Sequence, residues 1–248
     1  MALLFCMHRH KGIISLLRSF DVSKKFWIYT AISGVLLLAF LILTVLLTCV
    51  DVRPAGESGA EVGFASLNEA VFDMLGQFGA EAANISLKFS ELCGALMLAV
   101  VGAFGVTGLV QVIRRKGILR ADKELYVMAG GLVLLAIAYV LFEVVVINCR
   151  PVLDEGELVA SYPSSHTMLA VAVAGMGAAY LHRRIKYRSW RSSPSVDLIG
   201  LATLTTLFRL EAGVHWLTDI VGGVLVGLVI TFAYLAVCVF LRRQEKIT

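Results

Sequence analysis

Six runs of apolar residues, each close to the length of a bilayer-crossing helix, constrain this chain more than any other feature. A helix needs about 20 apolar residues to cross the hydrocarbon core. With 58% hydrophobic and 16% charged residues, the 248-residue chain is too apolar for a water-facing surface. The sequence therefore predicts an all-α, polytopic membrane bundle of about six helices, forming a single domain over residues 1–248. The predicted spans are Phe26 to Val50, Ile85 to Ile113, Leu125 to Asn148, Ser165 to Leu181, Val196 to Glu211 and Trp216 to Leu241.

The positions of the basic residues predict the orientation of the bundle. Eighteen of the 22 lysines and arginines lie in the N-terminal lead, the loops after the second and fourth spans, and the C-terminal tail. Short cytoplasmic loops collect such residues, so both termini are predicted to be cytoplasmic. We expect a bacterial cytoplasmic membrane, because the chain is compact and has no long extensions. The net charge of +4 follows from this orientation, and the split basic clusters give no indication of nucleic-acid binding. The other four cations fall at or near the outer face: Arg53, Lys88, Arg150 and Arg209.

The predicted external segment, residues 51–84, contains one amphipathic helix. Its apolar residues recur at helical three-and-four spacing, and its polar residues fall largely between them. Two interpretations are equally open: an interfacial helix beside a lipid entrance in the outer leaflet, or a lid that packs on the bundle. The apolar positions are Phe64, Leu67, Val71, Met74, Leu75 and Phe78.

Two of the five histidines, His166 and His215, fall at outer helix ends and therefore at one membrane face. Polar residues inside a membrane are costly and usually mark function, although each one taken singly has a structural alternative. Asp219 can cap a helix or pair with Arg209, and Arg150 can reach the outer headgroups. Chance rarely places the whole set at one face. The residues that accompany the histidines are Arg150, Ser164, Ser165, Arg209 and Asp219.

These residue types match the needs of phosphoryl transfer, namely cations and N–H donors around the phosphate, an in-line nucleophile and an acid. Arg150 and Arg209 can bind phosphate in bidentate fashion. The start of the fourth predicted span offers free N–H groups beside the hydroxyls of Ser164 and Ser165.

A four-residue spacing places His215 and Asp219 on one face of a predicted helix. Asp219 can then hold the imidazole in the tautomer whose other nitrogen is free to attack phosphorus, giving a phosphohistidine. His166 can protonate the departing alkoxide and later activate water.

Three ordered motifs resemble the signature of the type 2 phosphatidic acid phosphatase (PAP2) superfamily, which includes bacterial undecaprenyl pyrophosphate phosphatases. They are Arg-Pro at 150–151, Pro-Ser-x-His at 163–166 and Arg-x5-His-x3-Asp at 209–219, within the region 143–219. The resemblance implies that His215 is the nucleophile, Asp219 its partner and His166 the general acid. It also implies a phosphate pocket of Arg150, Ser164, Ser165 and Arg209, with a membrane lipid as substrate and neither metal nor other cofactor.

Three positions depart from the family pattern. Glu143 stands where the first motif begins with lysine, Ser165 replaces a glycine, and Phe208 replaces a serine. An anion in place of a cation would repel phosphate. We expect Glu143 to pair with Arg150 or with Lys88, the latter supplying the missing cation; the alternative is a weakened or lost phosphatase site.

The sequence thus predicts a lipid phosphatase that acts at the outer membrane face, with undecaprenyl pyrophosphate as the favoured substrate. Phosphatidic acid, phosphatidylglycerol phosphate and lipid A remain open as substrates. Two other functions are kept as alternatives. One is a lipid transporter or scaffold that lost turnover through Glu143, and the other is a phosphotransferase that passes the phosphoryl group from His215 to another lipid.

Overall fold

The computed structural model describes residues 2–185 and 188–245, which form seven α-helices and one short hairpin within these ranges. The β-hairpin was not expected from the sequence, because three-residue strands are too short to show an alternating pattern. The helices are α1 (Ala2–Leu47), α2 (Ala65–Gly76), α3 (Gly79–Arg114), α4 (Lys123–Val144), α5 (Ser165–Arg184), α6 (Arg188–Glu211) and α7 (Leu217–Gln244), and the strands are β1 (Arg53–Ala55) and β2 (Ala60–Val62).

Four helices are long and apolar enough to cross a membrane: Lys24–Leu47 of α1, and all of α3, α4 and α7. Helices α5 and α6 coincide with the predicted fourth and fifth spans but are not among these four. The first turns of α6 are polar and include Pro194, and α5 ends in His182, Arg183 and Arg184. A count of six spans therefore remains a prediction.

Close packing between α5 and α7 forms the centre of the bundle. A Cβ atom on Gly222 would lie 2.4 Å from the Tyr162 ring, and one on Gly223 would lie 2.8 Å from the carbonyl oxygen of Ser164. Helix backbones can approach each other closely where the contact residues are glycines, as in many membrane bundles. The start of α7 therefore lies directly against the segment that leads into α5.

Charged residues gather at the end of the bundle where α3, α5 and α7 finish and α4 begins. Asp122 binds Arg115 at 3.0 Å and Arg184 at 2.9 Å, and Glu124 binds Arg183 at 2.8 Å. Burial raises the pKa of Asp122, but hydrogen bonds from Gln111 and Arg115 outweigh it and hold that pKa below its ordinary value. This network defines the basic end of the bundle.

The opposite end carries the hairpin and α2, which are fastened to the start of α7. The Asn68 side-chain amide donates to the Thr218 hydroxyl at 3.0 Å, and its carbonyl oxygen accepts from the Thr218 N–H at 3.2 Å. The Phe72 ring contacts the buried Trp216 ring, with centroids 5.7 Å apart. Helix α2 thus satisfies a free N–H at the start of α7. Its exposed apolar side chains, Leu67 among them, point away from this contact.

Candidate active site

The predicted histidines and arginines meet at the end of the bundle opposite the basic end. His166 lies in the first turn of α5, Arg209 in the last turn of α6, and His215 in the turn between α6 and α7. The prediction that His215 and Asp219 lie on one face of the same helix was wrong. Helix α7 begins only at Leu217, so His215 precedes it.

Asp219 caps the helix whose start it occupies. Its Oδ2 atom accepts the backbone N–H of Trp216 at 2.9 Å, which satisfies one of the free donors at the start of α7. The same oxygen lies 3.7 Å from Nδ1 of His215, which is too long for a hydrogen bond. The capping alternative therefore holds for Asp219, and the carboxylate still faces the imidazole.

Ser161 completes this arrangement and was not singled out by the sequence reasoning. Its hydroxyl lies 3.0 Å from Nδ1 of His215 and donates a hydrogen bond to Oδ2 of Asp219. Burial lowers the pKa of His215, while the nearby Asp219 carboxylate acts against that change. The only sequence signal was a small hydroxyl residue two positions before Pro163, which is too common a feature to be informative.

His166 is held from two sides. Nη2 of Arg209 lies 2.6 Å from Nε2 of His166, and because a guanidinium only donates, this ring nitrogen is the acceptor. On the other side α3 comes so close that a Cβ on Gly94 would lie 2.9 Å from Cδ2 of His166. Gly94 therefore sets how far the imidazole can move towards α3.

Several buried polar atoms around the two histidines have no hydrogen-bond partner. They are Nε of Arg150, Nε of Arg209, Oγ of Ser164, Oγ1 of Thr167 and the acceptor Oδ1 of Asp219. Nη1 of Arg150 meanwhile binds Asp154 at 2.8 Å. Buried polar groups in proteins normally have partners, so the unused donors of Arg150 and Arg209, which both lie near His166 and His215, indicate a site for an anionic ligand.

Glu143, which stands in place of the lysine of the first motif, and Lys88, which was expected to replace that lysine, do not lie together. Glu143, near the end of α4, lines a narrow cleft together with Arg150 and His215. Lys88 is exposed on α3 and lines neither this cleft nor the cavity beside it. Among the described residues, Glu143 forms no ion pair with Arg150 or with Lys88; its nearby polar group is the hydroxyl of Tyr139. The structure therefore brings Glu143 to the site and does not bring Lys88 there.

The other two residues that depart from the family pattern are Phe208 and Ser165. Phe208 stacks on Phe89 with ring centroids 5.5 Å apart, which fastens α6 to α3 near the site. Ser165 lines both the narrow cleft and the larger cavity next to it.

That larger cavity has a volume of about 670 Å³ and lies between α3, α4 and α5. Its walls are mainly apolar, with Leu98, Leu132 and Leu135 among them, and its polar lining residues include Glu91 and His166. It adjoins the narrow cleft through Tyr139 and Ser165, which line both. An apolar chamber thus opens beside the two histidines.

The four long apolar helices are those of a multi-pass membrane protein. Residues 145–243 match the family model of the PAP2 superfamily. The fold is similar to that of a transmembrane PAP2 type phosphatidylglycerolphosphate phosphatase from Bacillus subtilis, with 21% identity, a TM-score of 0.57, and coverage of 87% of this chain and 97% of that one. No curated protein sequence matches the chain.

Proposed function

We propose that this protein hydrolyses a lipid phosphate or pyrophosphate at the outer face of the membrane through a phosphohistidine intermediate. The observation that carries the proposal is that Arg150 and Arg209, which lie near His166 and His215, have unused buried donors. Phosphate oxygens are the acceptors that such a set of donors fits. The proposal includes the six-span arrangement with both termini in the cytoplasm, which the basic end of the bundle supports.

In the proposed reaction, Nε2 of His215 attacks phosphorus in line with the leaving oxygen. The new P–N bond forms as the P–O bond breaks, and the leaving oxygen takes a proton from His166. A water molecule activated by His166 then attacks the phosphohistidine, which releases inorganic phosphate and restores His215. Nε2 of His166 accepts a hydrogen bond from Arg209 and therefore carries no proton, so it must take up a proton and leave this contact before the first step. The unused Nε of Arg209 can bind phosphate.

The apolar cavity supports a lipid substrate. A chamber of about 670 Å³ that His166 helps to line can take the first part of an acyl or prenyl chain while the phosphate lies in the cleft. We favour undecaprenyl pyrophosphate as substrate. Phosphatidylglycerol phosphate is a second candidate, since the similar structure is that of a phosphatidylglycerolphosphate phosphatase.

The direct test measures phosphate release in detergent with EDTA present. We expect metal-independent turnover of undecaprenyl pyrophosphate, with phosphatidylglycerol phosphate and phosphatidic acid compared at equal surface concentration. No release from any of the three lipids would contradict the proposal and favour a scaffold or transporter. Release that falls sharply when a second lipid acceptor is added, with the phosphoryl group recovered on that lipid, would indicate a phosphotransferase instead.

Replacing Glu143 with lysine is expected to increase kcat/KM for lipid phosphates by about tenfold, mainly through a lower KM. The change reverses the charge at a cleft that also holds Arg150, and a cation there attracts the phosphate. The measurement is phosphate release against lipid concentration. Glu157→Lys is the control, because Glu157 is exposed and lies outside the cleft. An unchanged or lower kcat/KM in Glu143→Lys would show that the glutamate does not weaken phosphate binding.

Filling the apolar cavity is expected to impair the hydrolysis of lipid substrates and to leave the hydrolysis of soluble substrates nearly unchanged. Ala95→Trp places an indole in the chamber, so KM for a long-chain lipid phosphate should rise about tenfold while hydrolysis of p-nitrophenyl phosphate stays within twofold. Ala103→Trp is the matched control, since Ala103 is exposed on the same helix and does not line the cavity. Equal effects on both substrates would show that the chamber does not hold the lipid chain.

A further inference from the structure

Ser161 lies between the two groups whose cooperation the proposed mechanism requires. Its side chain is 3% exposed, and its hydroxyl contacts both Nδ1 of His215 and Oδ2 of Asp219. The direct distance between those two atoms is 3.7 Å, beyond hydrogen-bond length. The serine hydroxyl therefore connects the carboxylate to the imidazole through two hydrogen bonds.

The direction of these hydrogen bonds follows from the chemistry of the three groups. An ionised carboxylate only accepts, so the single hydroxyl proton of Ser161 points to Asp219. The Ser161 oxygen then has lone pairs left for His215, and the ring nitrogen facing it must carry a proton to bind. Nδ1 is thus protonated, and in the neutral ring Nε2 holds the free electron pair.

We propose that Ser161 is a positioning residue that fixes His215 in its reactive tautomer and connects its ring to the charge of Asp219. The inference rests on the proposed function, in which Nε2 of His215 is the nucleophile. As the P–N bond forms, the ring becomes positively charged and keeps its Nδ1 proton. The chain from Nδ1–H through the hydroxyl to the carboxylate stabilises that charge without requiring any proton to change place.

The backbone around Ser161 is held by hydrogen bonds that do not involve the side chain of Asp219. The Ser161 N–H donates to the carbonyl of Asn148 at 2.9 Å, and Ala160 pairs with Cys149 in an isolated antiparallel bridge. Three residues later, the Ser164 N–H donates to the backbone carbonyl of Asp219 at 3.0 Å. These bonds fix the backbone of the segment against both α7 and the residues that follow α4.

Three substitutions test the role. Ser161→Ala removes the hydroxyl, Ser161→Cys keeps nearly the same size with a poor hydrogen-bonding group, and Ser161→Thr keeps the hydroxyl. We expect kcat for lipid phosphate to fall about 30-fold in the alanine and cysteine variants, with KM unchanged within twofold, and to stay within about fivefold of wild type in the threonine variant. Wild-type kcat in Ser161→Ala and Ser161→Cys, or an equal loss in all three variants, would overturn the proposal.

A spectroscopic measurement separates positioning from a general packing effect. With ¹⁵N-labelled histidine, the ring signals of His215 are assigned by their loss in His215→Gln. The wild type should show a protonated Nδ1 and an unprotonated Nε2, and Ser161→Cys should shift the ring towards the opposite tautomer. An unchanged tautomer would overturn the proposal. If the wild type released no phosphate from any lipid, the proposed function would fail, while the tautomer measurement would still decide the role of Ser161.

Discussion

His215→Ala is expected to lower phosphate release from lipid by at least about 10³-fold, because the substitution removes the nitrogen that forms the bond to phosphorus. His215 is 4% exposed and lies between the buried Ser161 on one side and the cleft on the other. No other imidazole in the described part of the chain occupies this position, since His166 binds Arg209 instead. The loss should appear in kcat, with lipid binding retained.

A trapping experiment makes this prediction specific to the mechanism. Rapid quenching of wild-type protein with ³²P-labelled lipid phosphate should give a phosphoprotein that is stable in alkali and lost in acid, and His215→Ala should give none. His182→Ala is the matched control, because His182 is exposed at the basic end of the bundle. Retention of more than a tenth of the wild-type rate in His215→Ala would place the nucleophile elsewhere.

Asp219→Ala is expected to reduce both turnover and stability. The buried carboxylate accepts hydrogen bonds from Trp216 and Ser161 and faces His215, so its removal leaves buried donors without partners. We expect kcat to fall by about 10² to 10³-fold, and the free energy of unfolding to fall by about 1 to 3 kcal/mol. Phosphate release and thermal unfolding in detergent measure the two effects.

Asp219→Asn separates the two roles of this side chain. The amide oxygen can still accept the Trp216 N–H, so stability should remain near that of the wild type, whereas the lost charge should lower kcat to nearly the alanine level. Asp73→Ala is the control, since Asp73 is exposed on α2. A fully active Asp219→Asn would show that the charge of Asp219 contributes nothing to the reaction.

The order and types of the helices could be predicted because their causes are local. Long apolar runs give long helices in lipid, and α3, α4 and α7 lie close to the predicted spans. Several residues that the structure brings together could also be predicted, since Arg150, His166 and Arg209 carry chemistry that is rare in apolar segments. Their roles in a reaction stay predictions, and Lys88, which was predicted to join them, lines neither the cleft nor the cavity.

The parts that could not be predicted depend on contacts between distant segments. The start of α7 at Leu217 is set by the Asp219 cap and by Asn68, which no periodicity reveals. The bridging role of Ser161 depends on a segment folded back across α7. The expected ion pair of Glu143 also depended on tertiary geometry, which places Arg150 beside Asp154 instead.

The contact between Asn68 and Thr218 joins residues 150 positions apart in the chain. Because the ribosome produces the chain from its N-terminus, the hairpin and α2 are made before α7, to which they are fastened. Ser161, His215 and Asp219 can therefore come together only after α7 has been made. A nascent chain that still lacks α7 cannot assemble the candidate site.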